Sequence, residues 1–176
     1  MLIGSESTGK STLTINLANV FNTNYIEEAG REISERSGTD LMMLSEDFTE
    51  ILLQHKLNEI KAVNTSNRVL FIDTDTLITQ FYMEFLKDNK KELNKSLSDA
   101  IDGLNDYDLI LFLEPDVEFV QDGDRSTVIE NDRITYSNKI KQIFKEHNKQ
   151  FISISGDYQQ RYEIAMGLVQ ELLDLG

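Results

Sequence analysis

The sequence lacks several residue types that would point to particular classes of protein. It contains no cysteine and no tryptophan, one proline and two histidines. The absence of cysteine excludes structural disulfides and thiol chemistry, and it is compatible with a cytoplasmic location. Because Pro115 is the single proline, the chain has no proline-rich linker that would mark a domain boundary. His55 and His147 are isolated from each other in the sequence, and neither is assigned a function.

Positive charge and long apolar runs are also scarce. Lys and Arg number 17 against 31 Asp and Glu, which gives a formal net charge of -14. Such an acidic chain argues against a nucleic-acid partner, because phosphate backbones are held by basic patches. No apolar run approaches the roughly 20 residues of a membrane-spanning helix, and no secretory signal pattern opens the sequence. With 176 residues, we expect one globular cytoplasmic domain over 1–176.

Short apolar runs rich in β-branched residues alternate with longer segments of helical period. The candidate strands are 2–3, 25–26, 69–72, 109–113 and 151–154. The candidate helices are 10–20, 45–63 with Ser45 as N-cap, 76–86, 91–104, 134–146 and 158–173. This alternation is typical of an α/β fold with a parallel sheet covered on both faces. Only three residues precede the first loop, so either the first strand is short or the start lies upstream.

The segment from Gly4 to Ser11 matches the phosphate-loop pattern G-x-x-x-x-G-K-[ST] at every fixed position. Glycines allow the tight turn that points backbone N–H groups at phosphates. Lys10 is expected to reach the β- and γ-phosphates, and the Ser11 hydroxyl to bind Mg²⁺. The residues assigned to ATP here are Gly4, Ser7, Thr8, Gly9, Lys10, Ser11 and Thr12. The alternative is a glycine-rich turn that only caps a helix.

Carboxylates follow two of the candidate strands. Asp73 ends the third strand, where an aspartate beside the phosphate loop can hold Mg²⁺ directly or through water. Asp75 is a candidate to orient the ribose of an acceptor or to act as a base, or else it caps the next helix. Glu27 and Glu28 end the second strand, where a carboxylate can accept the proton of an acceptor hydroxyl. A solvated acidic pair is the alternative.

Arginines mark three further candidate positions. Arg31 follows the acidic pair and is assigned either to the substrate or to a neighbouring glutamate. Residues 118–133 form a polar, glycine-containing lid candidate with Arg125 and Arg133, which would spread charge on the transferred phosphate. Pairing with Asp122, Asp124 or Asp132 is the alternative for these arginines.

The loop after the fifth strand is the candidate adenine site. Asp157 begins a capping box with Gln160, and Tyr158 and Arg161 are candidates for stacking on the base. A helix cap with an aromatic residue packed beneath it is the structural alternative.

Seven motifs occur in a fixed order along the chain. They are Gly-Ser-Glu-Ser-Thr-Gly-Lys-Ser (4–11), Glu-Glu-Ala-Gly-Arg (27–31), Phe-Ile-Asp-Thr-Asp-Thr (71–76), Thr-Gln-Phe-Tyr (79–82), Tyr-Asp-Leu-Ile-Leu-Phe-Leu-Glu-Pro-Asp-Val (107–117), Gln-Asp-Gly-x-Arg (121–125) and Ser-Gly-Asp-Tyr-x-x-Arg (155–161). Together they resemble the ribosylnicotinamide kinase domain of bacterial NadR-type NAD-salvage proteins. The likeness spans nearly the whole chain, and the later blocks are more specific than the loop.

The resemblance implies a three-layer P-loop kinase-like fold, with a five-stranded parallel sheet in the order 2-3-1-4-5. It also implies transfer of the ATP γ-phosphate to the 5′-hydroxyl of nicotinamide riboside, with ATP and Mg²⁺ as cofactors. Lys10, Ser11 and Asp73 would then lie on MgATP, Glu27 or Asp75 near the ribose, and Arg125 in the lid. Phe81 or Tyr82 would contact the nicotinamide ring, although an aromatic residue on that helix is more often part of the core.

The chain departs from the family pattern in two places, and its charge agrees with the substrate of the family. Glu118-Phe119 stands where the family has Pro-Trp, and Asp124 replaces an apolar residue before the lid arginine. No H-x-G-H motif is present, so the adenylyltransferase activity of NadR-type proteins is not expected. Nicotinamide riboside is a cation, and a pocket lined by Glu27, Glu28 and Asp75 would complement its charge.

Two other functions compete with this prediction. One is a nucleoside or nucleotide kinase of other specificity. The other is a P-loop ATPase that acts as a regulatory binding module. A GTPase is disfavoured because no Asn-Lys-x-Asp motif follows a strand and Asp73 lacks the D-x-x-G spacing.

Overall fold

The computed structural model describes residues 1–37, 44–88, 90–121 and 125–175. The strands are β1 (Leu2–Ile3), β2 (Tyr25–Ile26), β3 (Phe71–Ile72), β4 (Leu111–Leu113) and β5 (Ile152–Ile154). The helices are α1 (Lys10–Val20), α2 (Ala29–Ser37), α3 (Ser45–Val63), α4 (Thr76–Phe85), α5 (Lys91–Asp102), α6 (Thr127–Asn131), α7 (Arg133–Glu146) and α8 (Tyr158–Leu175).

Every strand pairing in the described chain is parallel. One sheet has the order β1-β4-β5, and a second pairs β2 with β3. A single parallel bridge between Leu2 and Asp73 joins the two sheets, and Thr74 donates its backbone N–H to Leu2 O at 3.0 Å. The structure therefore contains two short sheets joined by one bridge, where one five-stranded sheet in the order 2-3-1-4-5 was predicted. Parallel pairing places the carboxyl ends of β1, β3 and β4 at one edge.

Two apolar clusters cover the two faces of the sheet. Alternate residues of a strand point to opposite faces, and Ile3 and Leu2 accordingly belong to different clusters. The first cluster joins the sheet to α4 and α7, through residues such as Phe81 and Phe144. The second joins it to α1 and α8, with Leu17 fully buried. The result is a layer of helices on each side of the strands, as predicted.

Two helices that the sequence did not predict are α2 and α6. The α2 helix lies against α3, and Ile33 packs with Phe48, Ile51 and Met83 in a third small cluster. Its sequence gives little helical signal, because a glycine and several charged residues leave few apolar positions. The α6 helix has only five residues, and Ser126 caps it by accepting from the N–H groups of Val128 and Ile129.

Some helix ends differ from the prediction. Ser45 is the first residue of α3 and not its N-cap; Leu44 takes that place, and its N–H donates to Asp47 Oδ2 at 2.7 Å. The Ser45 hydroxyl instead donates to Asp88. The capping box at α8 is confirmed, because Asp157 and Gln160 exchange two hydrogen bonds of 2.9 Å. Across the described ranges, no helix is both long and apolar enough to span a membrane.

Candidate active site

The phosphate loop runs from the end of β1 to the start of α1. Its glycines occupy backbone conformations that a side chain would strain, with φ of 146° at Gly4 and 86° at Gly9. A Cβ on Gly4 would lie 2.6 Å from Leu113 O, so the loop also passes close to the end of β4. These conformations are the tight turns that the motif predicts, between a strand and the N-terminus of a helix.

Polar contacts hold the loop together. The Lys10 ammonium donates to Ser5 O at 2.9 Å, and the Thr8 hydroxyl donates to the same oxygen at 3.0 Å. Ser137 on α7 donates to the Ser5 hydroxyl at 2.9 Å. Lys10 therefore lies within the loop, where its charge can meet a phosphate. Thr12 lies on the exposed face of α1.

Asp73 lies at the carboxyl end of β3, beside the phosphate loop. Its side chain is 2% exposed, and neither carboxylate oxygen has a hydrogen-bond partner among the described residues. Burial raises the pKa of Asp73, while the charge of Lys10 and the nearby Ser11 hydroxyl act in the opposite direction. A buried carboxylate left without a partner is unfavourable by itself, so the site is suited to a cation.

This donor set fits Mg²⁺. The described residues contain no group of three or more His, Cys, Asp or Glu side chains that could hold a metal. Mg²⁺ commonly takes one or two protein ligands and completes its shell with water and phosphate oxygens. Asp73 together with the Ser11 hydroxyl meets that requirement.

Asp75 has a different environment from Asp73. It is the N-cap of α4, and its Oδ1 accepts from the N–H groups of Leu77 and Ile78 at 2.9 and 3.4 Å. Burial raises its pKa to about 6, although these two backbone donors favour the charged form. The structure thus places Asp75 as a helix cap, the alternative that the sequence left open. It gives no support to contact with a ribose, because the side chain is 2% exposed.

A cavity of about 480 Å³ opens next to the phosphate loop. Its lining is Ser11, Thr14, Ile15, Tyr25, Ile26, Glu27, Glu28, Ala29, Arg31, Glu32, Asn58 and Asp73. Glu27, Glu28 and Arg31, which the sequence predicted for the acceptor, thus share one pocket with both predicted magnesium ligands. Tyr25 and Asn58 were not predicted, and no motif marks them.

The lid candidate contacts the phosphate loop directly. Arg125 Nη1 donates to the Ser7 hydroxyl at 3.2 Å, and Val120 N donates to the same oxygen at 2.8 Å. Arg133 Nη2 donates to Ser7 O at 3.2 Å, and its Nη1 donates to Val117 O at 2.6 Å. Two cations thus meet the middle of the loop. The segment 122–124, which includes the predicted alternatives Asp122 and Asp124, lies outside the described residues.

The adenine-site candidates separate into two groups. Tyr158 is 54% exposed, and its ring would lie 2.7 Å from a Cβ on Gly9, so it covers the end of the phosphate loop. Arg161 is 1% exposed and offers no face for stacking, so that part of the prediction is wrong. Its guanidinium instead donates to the carbonyl oxygens of Thr8, Glu114 and Gly156, each at 2.8 Å, and pairs with Asp116. Asp157 is committed to the cap of α8.

The two aromatic candidates on α4 also differ from each other. Phe81 is buried in the core against Phe85 and Tyr136, so a contact with a substrate ring is not available to it. Tyr82 is half-buried, and its hydroxyl donates to Glu6 Oε1 at 3.1 Å. Glu6 occupies a variable position of the phosphate-loop pattern, and nothing in the motif signals this contact.

Comparison with known proteins agrees with this geometry. A family model described as an AAA domain matches residues 1–161, which is most of the chain. The chain belongs to this AAA domain family. Its P-loop is the segment from Gly4 to Ser11 described above.

Two curated relatives of this AAA domain are both described as "Trifunctional NAD biosynthesis/regulator protein NadR". One is from Salmonella typhimurium (strain LT2) and the other from Escherichia coli (strain K12). Each is 33% identical to this chain over 175 residues, which cover 98% of this chain and 42% of the relative. The chain thus spans less than half the length of these relatives.

Two solved structures share the fold of this AAA domain. A crystal structure of NadR protein in complex with NR has a TM-score of 0.86 and 27% identity, over 97% of this chain and 50% of the other. A crystal structure of NadR protein in complex with NAD and AMP-PNP has a TM-score of 0.82 and 24% identity, over 97% of this chain and 48% of the other. The predicted α/β P-loop-like fold and the similarity to NadR are confirmed.

Proposed function

We propose that this protein is an ATP-dependent kinase that phosphorylates nicotinamide riboside on its 5′-hydroxyl and releases nicotinamide mononucleotide. The NadR structure in complex with NR, of which this chain matches 50%, supports the proposal. It assigns the chain the role of a ribosylnicotinamide kinase domain, with 1–176 as one domain. It also treats the two bridged sheets as one five-stranded sheet in the order 2-3-1-4-5.

One observation carries the proposal. The cavity of about 480 Å³ is lined by Ser11 and Asp73 and also by Glu27 and Glu28. An acceptor held there would lie next to the place where the phosphate loop holds the terminal phosphate of ATP. A kinase needs this adjacency, because holding the two reactants in line supplies a large part of the rate enhancement.

The phosphate loop is proposed to bind ATP, the phosphate donor. Its backbone N–H groups and the N-terminus of α1 favour the negative charge of ATP. Lys10 is assigned to the β- and γ-phosphates, with Arg125 and Arg133 adding positive charge at Ser7 of the loop. Mg²⁺ would be held by Asp73 and Ser11, and it would neutralise phosphate charge there.

The residues at the end of β2 are proposed to bind the acceptor. Glu27 lines the cavity and is exposed to solvent, so its carboxylate is accessible to a ligand. In the transfer step, the 5′-oxygen of the acceptor forms a bond to the γ-phosphorus, and the bond from that phosphorus to the β,γ-bridging oxygen breaks. The hydroxyl proton passes to Glu27, and ADP leaves. Asp75 is not assigned to this step because it caps α4.

The charge of the cavity favours a cationic acceptor. Four carboxylates, from Glu27, Glu28, Glu32 and Asp73, line it together with one arginine, Arg31. A positively charged nicotinamide riboside is attracted to such a lining, whereas a nucleoside monophosphate is repelled. The first of the two competing functions, in the form of a nucleotide kinase, would require more arginines in the pocket.

The test is incubation of the purified protein with ATP, Mg²⁺ and nicotinamide riboside, with chromatographic detection of nicotinamide mononucleotide. Thymidine and deoxynucleotides are run beside it at the same concentrations. Product from nicotinamide riboside alone supports the proposal. Phosphorylation of another acceptor in its place, or ATP turnover that no acceptor changes, refutes it.

Three variants sharpen the test. Lys10→Ala should abolish product, because the only loop ammonium is removed. Glu27→Gln should lower kcat by about 10²- to 10⁴-fold if Glu27 accepts the proton, the usual range for loss of a general base. Glu46→Gln, an exposed carboxylate paired with Lys90 away from the loop, is the matched control and should behave as the wild type.

A further inference from the structure

Glu6 is a loop residue that the mechanism above does not use. Its side chain joins two elements that are far apart in sequence. Oε1 accepts from the Tyr82 hydroxyl at 3.1 Å, and Oε2 accepts from the backbone N–H of Ser126 at 2.9 Å. A carboxylate with two acceptor oxygens is the group that satisfies two such donors at once.

The contact at Ser126 lies one residue from the lid arginine. Arg125 Nη1 donates to the hydroxyl of Ser7, the next residue of the loop after Glu6. Consecutive loop residues therefore bind consecutive lid residues. Because Glu6 holds a backbone group, the contact fixes the path of the chain at Ser126 and with it the origin of the Arg125 side chain.

The contact at Tyr82 joins Glu6 to α4. Tyr82 lies on α4, which begins at Thr76, directly after its N-cap Asp75 and three residues after Asp73. Its ring packs edge-on against Phe81 in the core, at 5.1 Å between centroids. One end of the Glu6 contact is thus anchored in the buried core, and the other end holds the described part of the lid.

We propose that Glu6 is a positioning residue for phosphoryl transfer: it links α4 to Ser126 and so holds Arg125 against the phosphate loop. This rests on the proposed kinase function. Glu6 acts through Arg125 and does not itself touch the phosphates. Its removal is therefore expected to lower the rate of transfer at saturating ATP and to leave ATP affinity nearly unchanged, because a group that organises the transition state acts on kcat.

The chemistry of the two contacts ranks the variants. Glu6→Ala removes both acceptors. Glu6→Gln keeps one carbonyl oxygen for the Ser126 N–H, and its NH₂ group can donate to the Tyr82 hydroxyl oxygen, which can accept. Glu6→Gln is thus the conservative variant and should recover most of the loss. Tyr82→Phe removes one of the two Glu6 contacts described above and should lie between the wild type and Glu6→Ala.

The first measurement is amide hydrogen exchange at Ser126 in the full chain, with and without ATP and Mg²⁺. The N–H of Ser126 should exchange faster in Glu6→Ala than in the wild type, and close to the wild-type rate in Glu6→Gln. The second is the kinase reaction, in which Glu6→Ala should lower kcat about tenfold while the dissociation constant of ATP changes less than twofold. Glu163→Ala, an exposed carboxylate on α8 that accepts from Gln159, is the matched control and should change neither.

The outcomes separate this proposal from the kinase assignment. Unchanged exchange at Ser126 in Glu6→Ala overturns the proposal, as does a loss in ATP affinity equal to the loss in kcat. If the wild type does not phosphorylate nicotinamide riboside, the kinase assignment fails. The slow hydrolysis of ATP by water then provides the rate, and an unchanged hydrolysis rate in Glu6→Ala overturns the positioning role.

Discussion

The guanidinium of Arg161 on α8 donates a hydrogen bond of 2.8 Å to the carbonyl oxygen of Thr8 in the phosphate loop. The same side chain also binds the carbonyl oxygens of Glu114 after β4 and Gly156 after β5, and it pairs with Asp116. One buried cation therefore joins the phosphate loop to the carboxyl ends of two neighbouring strands. The fork of five donors in arginine suits this role, and a single ammonium does not.

We predict that Arg161→Lys lowers the free energy of unfolding by about 2 to 4 kcal/mol, because the ammonium leaves buried carbonyl oxygens without donors. Urea unfolding followed by circular dichroism measures the change. Arg68→Lys, an exposed arginine that binds Leu173 O, is the matched control and should change stability by less than about 0.5 kcal/mol. An equally small effect at Arg161 would contradict the role given to its guanidinium.

Asp73 is expected to lower the stability of the unliganded protein while being required for its activity. Its carboxylate is buried without a hydrogen-bond partner among the described residues, and burial raises its pKa. In the absence of Mg²⁺, Asp73→Asn should therefore raise the free energy of unfolding by about 1 kcal/mol, since no charge is then buried. The same change should remove most kinase activity because a proposed magnesium ligand is lost.

Thermal unfolding with and without MgATP tests the change in stability and the loss of a magnesium ligand, and the kinase assay tests the loss of activity. The wild type should gain stability when MgATP is added, and Asp73→Asn should gain much less. Asp108→Asn, on the opposite edge of the sheet before β4, is a control for the removal of one negative charge. An Asp73→Asn variant that is less stable than the wild type without ligand would contradict the argument.

The parts of the fold that could be predicted from the sequence are those set by local pattern. The run from Lys10 has a helical period, and α1 has the predicted bounds. The strands were predicted longer than they are, because β3 and β4 begin two residues later than the apolar runs do. The apolar pattern reports burial, and the residues before the ladder are themselves buried, as Ile110 is, or half-buried, as Val69, Leu70 and Leu109 are.

The parts that could not be predicted depend on contacts distant in sequence. Arg161 has the sequence position of a stacking residue, but its guanidinium is drawn inward by three carbonyl oxygens from separate loops. The α2 helix has few apolar residues, and Ile33 contributes its stability through packing on α3. For the same reason Glu6 carries no signal, since its partners lie 76 and 120 residues away.

Gly9 should be intolerant of a side chain for two separable reasons. Its φ of 86° is strained for any residue with a Cβ, and that Cβ would lie 2.7 Å from the Tyr158 ring. We expect Gly9→Ala to lower the free energy of unfolding by about 1 to 3 kcal/mol and to weaken ATP binding. Combining it with Tyr158→Ala should recover the part that is due to the ring.

A double-mutant cycle measured by urea unfolding separates these two parts. The double variant should lose less stability than the sum of the losses of the two single variants. Gly167→Ala on α8 is the matched control, because nothing lies within 4 Å of a Cβ there and alanine favours a helix. Strict additivity of Gly9→Ala and Tyr158→Ala would show that the ring does not cover the loop.

Glu59 is expected to make stability depend on pH in the acidic range. Its oxygens accept from Tyr107 at 2.6 Å and Lys56 at 2.9 Å, and His55 Nε2 lies 3.3 Å away. Burial alone would raise the pKa of Glu59, but these three partners lower it from 4.5 to about 2. The folded state therefore binds the proton less tightly than the unfolded state does. The contribution of the Glu59 carboxylate to the free energy of unfolding is complete above pH of about 4.5 and is lost as the pH falls towards about 2.

Urea unfolding of the wild type and Glu59→Gln at pH 7, 5, 4 and 3 tests this pH dependence. At pH 7 the variant should be less stable by about 1 to 3 kcal/mol, because the buried partners of Glu59 lose a charged acceptor. The difference should shrink below pH 4.5, since the wild-type carboxylate becomes protonated in the unfolded chain. Glu171→Gln, an exposed glutamate on α8, should show no such difference. A gap between Glu59→Gln and the wild type that stays constant from pH 7 to pH 3 would mean that the Glu59 carboxylate does not contribute through its charge.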